Sequence, residues 1–254
     1  MSADYRRWFL LNASPDIRAQ IEAFPALRPC GIRESPLQAV LLTDAELDHT
    51  LGLLLLREAR RLEVHATARV HETLDRGTSL LRTLRACTAV EWRPVVPGAE
   101  VQLADGLSYR AFQVPSDKRS RFGTAEGEED VVGYRIANAR TGRALVYVPA
   151  AQRLTASVLA HLDGCACLLF DGTCWRDDDL VRLGIADRTS RDMGHLPIAG
   201  AGGSLEQLAR LPIERKIYVH VNNTNPILFE DSPERRMVEE HGLEVAADGL
   251  ELEM

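Results

Sequence analysis

Three short apolar runs in this chain each stop at a residue able to hold a metal ion. Ala39-Val40-Leu41-Leu42 runs into Thr43-Asp44-Ala45-Glu46-Leu47-Asp48-His49-Thr50, Ala166-Cys167-Leu168-Leu169-Phe170 ends at Asp171, and Lys216-Ile217-Tyr218-Val219 ends at His220. Apolar runs of this length read as buried strands. In α/β folds, loops at strand ends converge and ligands collect there. The pattern therefore predicts an α/β fold with a site built from several strand ends. Asp44, Glu46, Asp48 and His49 crowd the first turn, and His195 in Met193-Gly194-His195-Leu196-Pro197 is a further candidate from a fourth loop. The first turn also has a plainer reading. Acidic residues at a helix start favour the helix dipole with no ion present, and His49 is then a half-buried structural histidine.

The rest of the chain keeps a strand-then-helix rhythm. Trp8 to Leu11 reads as a strand, followed by a helix with Ser14 as cap, Pro15 at the first helical position and Asp16 in the first turn. Pro25 to Pro36 is a proline-rich linker. Leu51 to Arg57 reads as a buried helix, 62–66 as a strand and 68–86 as helical. Segments 88–96, 99–104 and 108–114 alternate like strands, with a turn at Pro97-Gly98. The polar stretch 115–130 reads as a surface loop able to act as a lid. Strands are expected at 131–136 and 144–148, a helix near 151–162, another near 204–210, the last long helix over 233–241 and a terminal strand near 243–252. His65 and His71 are ligands by residue type only; single histidines on a strand or helix are more often structural.

Composition narrows the partners. The chain has 254 residues, 45% hydrophobic and 26% charged, which fits one large globular domain over 1–254. A net charge of −7 with no long basic run argues against nucleic acid or an anionic membrane. No apolar run approaches the ~20 residues that cross a bilayer. The N-terminus lacks a signal-peptide core, so a cytoplasmic protein is expected. The five cysteines, Cys30, Cys87, Cys165, Cys167 and Cys174, are odd in number and loosely spaced, as in a reducing compartment. Cys165 and Cys167 read as apolar packing, with no second pair to complete a structural zinc site. Cys174 lies nearer the candidate site.

Two histidines with carboxylates match the facial arrangement of non-haem Fe(II), which leaves coordination positions open. So carboxylate-rich a set favours iron or manganese, with zinc as the other choice.

The run Thr43 to Thr50, with Gly52, resembles the metal motif of the metallo-β-lactamase superfamily, His-x-His-x-Asp-His. Asp44 and Glu46 stand where that motif has its first two histidines, and Asp48 and His49 keep the remaining pair. Asp171 matches the later carboxylate and His220 the final histidine. The nearer resemblance is to the pyrroloquinoline quinone biosynthesis protein B family. It is carried by Asn12-Ala13-Ser14-Pro15-Asp16-Ile17-Arg18-Ala19-Gln20, Leu42 to Thr50, Asp171-Gly172-Thr173-Cys174-Trp175, Met193 to Pro197, His220-Val221-Asn222-Asn223-Thr224-Asn225-Pro226-Ile227-Leu228 and Asp231-Ser232-Pro233-Glu234-Arg235.

This resemblance implies a metallo-β-lactamase-like αβ/βα four-layer sandwich and an iron-dependent oxygenase. The expected reaction is hydroxylation of the tyrosine ring of a Glu-Tyr unit, or of a related peptide-derived amino acid, with O2 as co-substrate. It places Fe(II) on Asp48, His49 and His220, and puts Asp171, Glu46 and His195 behind the ligands or facing substrate. Arg176, Lys118 or Arg119 are candidates to hold substrate carboxylates. The family also carries a glycine-rich strand and a Cys-x-Cys-x-x-Cys knuckle ahead of the matched blocks. The chain is thus expected to be an N-terminally shortened form with an uncovered sheet edge, and a homodimer is among its expected partners. No histidine occurs from 72 to 160, so the superfamily's middle ligand is missing, which favours one metal over two. The rivals are a zinc hydrolase of the same superfamily and a non-catalytic carrier or partner in cofactor biosynthesis.

Overall fold

The structure is a computed structural model that describes residues 1–29, 31, 32, 34–118, 121, 122 and 131–254. Cys30, Arg119 and most of the expected lid over 115–130 lie outside the described residues. The chain forms two compact units, one from residues 1–111 with the described part of 119–130, the other from 112–118 with 131–254.

The first unit is built on four parallel strands, β1 (Trp8–Leu11), β2 (Leu37–Leu41), β3 (Arg61–Ala66) and β4 (Ala89–Pro94), lying side by side in chain order. Parallel neighbours need crossovers. These are supplied by α1 (Ile17–Ala23), α2 (Leu47–Thr50), α3 (Ala68–Glu72) and α4 (Leu80–Arg85). Val40, Leu42, Leu53, Val64, Leu74 and Leu81 are wholly buried in its core. β5 (Glu100–Gln102) and β6 (Leu107–Gln113) pair as an antiparallel hairpin.

Three helices here differ from the sequence expectation. Ser14 does not cap α1 directly. Its hydroxyl accepts from Asp16 N–H and its carbonyl from Ile17 N–H, so Pro15 and Asp16 form a turn and the helix opens at Ile17. The region 68–86 is broken by a π-turn over Thr73–Gly77 and by Ser79 in the left-handed conformation, φ 57°. The run after His49 is one α-turn followed by a 3₁₀ stretch, Leu51–Leu56. Gly52 accounts for the change. Its N–H donates to Ala13 carbonyl at 3.0 Å instead of joining an α-helical ladder, which docks the turn against the loop after β1. A Cβ at Gly52 would stand 2.1 Å from Ser14 carbonyl oxygen. Backbone cannot retreat as a flexible side chain can. Gly52→Ala is therefore expected to destabilise the protein by about 3 kcal/mol or more, at the upper end of overpacking costs, measured by denaturant unfolding.

In the second unit β7 (Val132–Asn138), β8 (Arg143–Val148), β9 (Cys167–Asp171), β10 (Arg215–Val219) and β11 (Glu244–Val245) lie side by side in chain order. β7 and β8 are antiparallel, and β8 to β11 are parallel. α5 (Ala156–Leu162), α6 (Asp179–Arg182), α7 (Ser204–Ala209) and α8 (Pro233–Glu240) connect them. α5 begins later than expected because Thr155 caps it, its side chain accepting from Val158 N–H. β11 is only two residues long, since a turn from Ala247 to Leu250 takes the chain off the sheet. Cys165 and Cys167 are buried as expected, and burial pushes both thiols up to about 11, which keeps them protonated and unreactive. No described helix is long and apolar enough to cross a membrane.

Candidate metal centre

Four of the seven histidines are committed away from the strand-end loops. His65 lies between Tyr109 and Glu63, and His71 stacks on Trp92 with ring centroids 4.1 Å apart. His161 stacks on Phe112 at 4.3 Å, and His241 sits on the exposed end of α8 with Nδ1 on Met237 carbonyl. His49 of the first unit, and His195 and His220 of the second, each sit next to a side chain that fixes its ring.

In the first unit, β2 delivers Thr43 and Asp44 into a buried turn. Asn12, held at φ 59°, accepts from Thr43 N–H at 2.9 Å and donates through Nδ2 to Thr43 Oγ1 at 2.9 Å. Thr43 Oγ1 donates to Asp44 Oδ2 at 2.7 Å, and Glu46 N–H donates to Asp44 Oδ1 at 3.0 Å. Nδ1–H of His49 meets both Asp44 oxygens at 2.8 Å. Burial pushes the Asp44 carboxyl up, but the charge and hydrogen bond of His49, with those from Thr43 and Glu46, outweigh it and hold Asp44 well below the usual carboxylate range. Burial lowers His49 as well, and the charge and hydrogen bond of Asp44, then the charges of Asp48 and Glu46, raise it to about 9. A carboxylate on Nδ1 aims Nε2 as the coordinating atom, an arrangement typical of metal-bound histidine. A metal ion would replace the Nε2 proton. Asp44, where the superfamily motif has a histidine, thus orients His49. Asp48 is exposed on the first turn of α2, beside His49. Glu46 is the residue before α2 and makes no capping hydrogen bond through its side chain.

In the second unit, register places Asp171 at the end of β9 opposite Val219 of β10, so His220 follows at the same edge. Gly172 makes this possible. A Cβ there would stand 2.9 Å from Tyr218 Cβ and 3.1 Å from Val219 carbonyl oxygen. His220 takes φ 55°, a left-handed conformation unusual for a side-chain-bearing residue. Asp171 is wholly buried and fully engaged. Oδ2 accepts from Ala151 N–H at 2.9 Å and His195 Nδ1–H at 2.8 Å; Oδ1 accepts from Thr173 N–H at 3.1 Å and Thr173 Oγ1 at 2.6 Å. Burial raises its carboxyl, but the charge and hydrogen bond of His195, with His220 and Thr173, hold it below the usual range. Thr173 Oγ1 in turn accepts from His220 Nδ1–H at 2.8 Å. The rings of His195 and His220 stack with centroids 5.3 Å apart. His195 is set by Ser190, which is buried: Ser190 Oγ donates to His195 carbonyl and Ser190 carbonyl accepts from His195 N–H, both at 3.0 Å.

The structure therefore gathers Asp171, His195 and His220, with ligand-type atoms within 4.8 Å of one another. Each Asp171 oxygen already accepts two hydrogen bonds, and through them the carboxylate holds His195 directly and His220 by way of Thr173. Thr173 is the residue that sequence reasoning passed over. It stood within the Asp171 to Trp175 block, and its signal was the two-residue spacing that lets a hydroxyl turn back onto the aspartate. His65 and His71 take no part in this cluster. Cys174 is buried and burial raises its thiol. Arg176 is exposed, with its N–H on Asp179; Lys118 is buried, its stem lying over Gly194 next to His195.

Residues 7–221 match the beta-lactamase superfamily domain. The chain is 43% identical to coenzyme PQQ synthesis protein B of Methylococcus capsulatus, covering 99% of this chain and 85% of that protein. It is 40% identical to the protein of the same name from Azotobacter vinelandii, covering 100% and 86%. Among solved structures, Zn(2+)-bound PqqB from Methylobacterium extorquens superposes with a TM-score of 0.89 at 40% identity, covering 100% of this chain and 86% of that one. YhfI from Bacillus subtilis, a metallo-β-lactamase fold protein, is 12% identical with a TM-score of 0.64, covering 98% and 88%, a likeness of fold alone. The fold is that of the metallo-β-lactamases.

Proposed function

The chain belongs to the coenzyme PQQ synthesis protein B family, and from that premise we propose that it serves pyrroloquinoline quinone biosynthesis as a non-haem iron-dependent oxygenase hydroxylating the tyrosine ring of a Glu-Tyr unit. The observation that carries this reading is the allotment of imidazoles: four of seven are committed elsewhere, and His49 and His220 each have Nδ1 engaged, which leaves Nε2 as the donor atom. Asp48, His49 and His220 make two imidazoles and a carboxylate, the donor set of non-haem Fe(II) sites, and too few histidines for a di-zinc hydrolase. Iron held there would supply a redox centre for dioxygen with positions open to substrate.

The chain's own groups do the rest. Asp44, fixed by Asn12 and Thr43, keeps His49 in one orientation and one tautomer. Asp171 does the same for His195 directly and for His220 through Thr173. With Nδ1–H given to Asp171, His195 offers Nε2 to take the phenolic proton and return it.

Metal-free protein reloaded with Fe(II) and given Glu-Tyr, a reductant and isotope-labelled dioxygen is expected to release ring-hydroxylated product carrying the label. Unlabelled product, or equal turnover without metal, would sink the oxygenase reading. The Zn(2+)-bound relative favours a second reading, a zinc hydrolase. Ester or phosphodiester cleavage by zinc-loaded protein, with no oxygen incorporation by the iron form, would establish that one instead.

A further inference from the structure

Tyr109 on β6 is 1% exposed, and its ring meets that of His65 on β3 edge to face, centroids 5.6 Å apart. Its hydroxyl is 2.8 Å from Nδ1 of His65, which is itself 3% exposed. Nε2 of His65 is 2.9 Å from Glu63 Oε1. Glu63 precedes His65 by two residues on the same strand and so shares its face. The other oxygen of Glu63 takes Arg61 Nη2 at 3.0 Å and Arg93 Nε at 3.1 Å. The roles along this chain follow from the carboxylate. Glu63 accepts, so Nε2 carries the proton, Nδ1 carries the lone pair and the tyrosine hydroxyl donates.

Satisfying a buried hydroxyl needs only one acceptor, and Tyr218 supplies the contrast. It is equally buried, but its hydroxyl meets Ser204 at 2.9 Å, which is no base. Tyr109 instead has a base, with a carboxylate behind it and two guanidiniums behind that. The line reaches the edge of the candidate site, since His65 carbonyl accepts from Leu42 N–H at 2.9 Å, one residue before Thr43.

We propose that Tyr109 and His65 form a buried redox pair: Tyr109 gives one electron to an outer-sphere one-electron oxidant while its phenolic proton passes to Nδ1 of His65. The O–H bond of Tyr109 breaks and an N–H bond forms on His65. The electron leaves to the oxidant, which is reduced by one unit. The products are a neutral phenoxyl radical and an imidazolium whose charge is met by Glu63. Returning the electron reverses each step, with the proton moving back to oxygen. Because the proton travels along an existing hydrogen bond, no charged tyrosyl species has to be buried, and burial shields the radical from solvent. Burial raises the Glu63 carboxyl, but the hydrogen bonds and charges of His65 and Arg93 hold it below the usual range, so it meets the imidazolium as a carboxylate and does not take the proton itself. The pair depends on its own geometry, and stands or falls separately from the oxygenase reading.

The test uses the whole metal-free chain, with photogenerated ruthenium(III) polypyridyl as oxidant and electron paramagnetic resonance as readout. The wild type is expected to give a tyrosyl signal whose high-field g-values carry the signature of a strong hydrogen bond from an imidazolium. Tyr109→Phe, which removes only the hydroxyl, is expected to lose that signal. His65→Leu, which keeps Tyr109 and removes its base, is expected to lose the hydrogen-bond signature and most of the yield. Circular dichroism confirms that each variant is folded; for a His65→Leu chain that does not fold, His65→Gln takes its place with the same expectation. A signal that survives Tyr109→Phe, a wild-type radical without the signature, or an unchanged yield after loss of the His65 base each overturns the proposal.

Discussion

Replacing His220 with glycine is expected to abolish metal retention, and with it the proposed hydroxylation, while leaving the fold standing. The choice of glycine follows from the backbone. His220 sits at φ 55°, where alanine would carry roughly 1–2 kcal/mol of strain and glycine none. Glycine gains about 0.5–1 kcal/mol of flexibility to lose on folding, so the two effects nearly offset. The imidazole, in contrast, is removed outright, along with its hydrogen bond to Thr173. The measurement pairs metal content after gel filtration with a thermal melt of the metal-free protein. A variant that melts near the wild type yet holds no metal supports His220 as a ligand. One that keeps a full equivalent of metal and its activity removes His220 from the site.

Asp171→Ala is expected to destabilise the folded chain by about 3–5 kcal/mol, the range for breaking a buried charged pair. The side chain is wholly buried and accepts four hydrogen bonds, from Ala151, His195 and twice from Thr173. Alanine leaves those donors without the carboxylate in a region that water does not reach. Urea unfolding measures the loss, and Asp171→Asn is the informative companion. The amide keeps one acceptor oxygen but puts an N–H₂ against another donor, so it recovers only part of the stability and none of the charge that fixes His195. A change under about 1 kcal/mol for the alanine variant would mean that the strand ends are held by packing alone.

Most of the strands were legible because their residues alternate or run apolar between turn residues, and such patterns survive whatever the neighbours do. Asp171 and His220 could be placed at strand ends from the same patterns. The helices were read less well, for reasons outside their own sequence. The run Leu51–Leu56 is apolar enough for an α-helix, yet Gly52 gives its N–H to Ala13, so a contact from another loop sets the local geometry. The start of α5 falls at Ala156 because Thr155 turns its side chain onto Val158 N–H as the cap. By its sequence position Asp44 reads as a ligand or as an acid serving the helix dipole, but it is buried with both oxygens on His49. That follows from Asn12 and Thr43, whose bonding no linear spacing records. Thr173 escaped notice because a hydroxyl draws attention only once its distances to Asp171, His195 and His220 are known.

Asn225 is 1% exposed and spans two loops: Nδ2 donates to Gly172 carbonyl at 2.9 Å and Thr173 carbonyl at 3.3 Å, while Oδ1 accepts from Ile227 N–H at 3.1 Å. One amide thereby rivets the segment that leaves β9 to the segment that leaves β10. Neither can fray by itself, because opening either strips this buried side chain of its bonds. The two segments should therefore breathe as one cooperative unit of native-state opening. Hydrogen exchange is then expected to show the amides of the Asp171–Thr173 and His220–Asn225 segments opening with a single free energy.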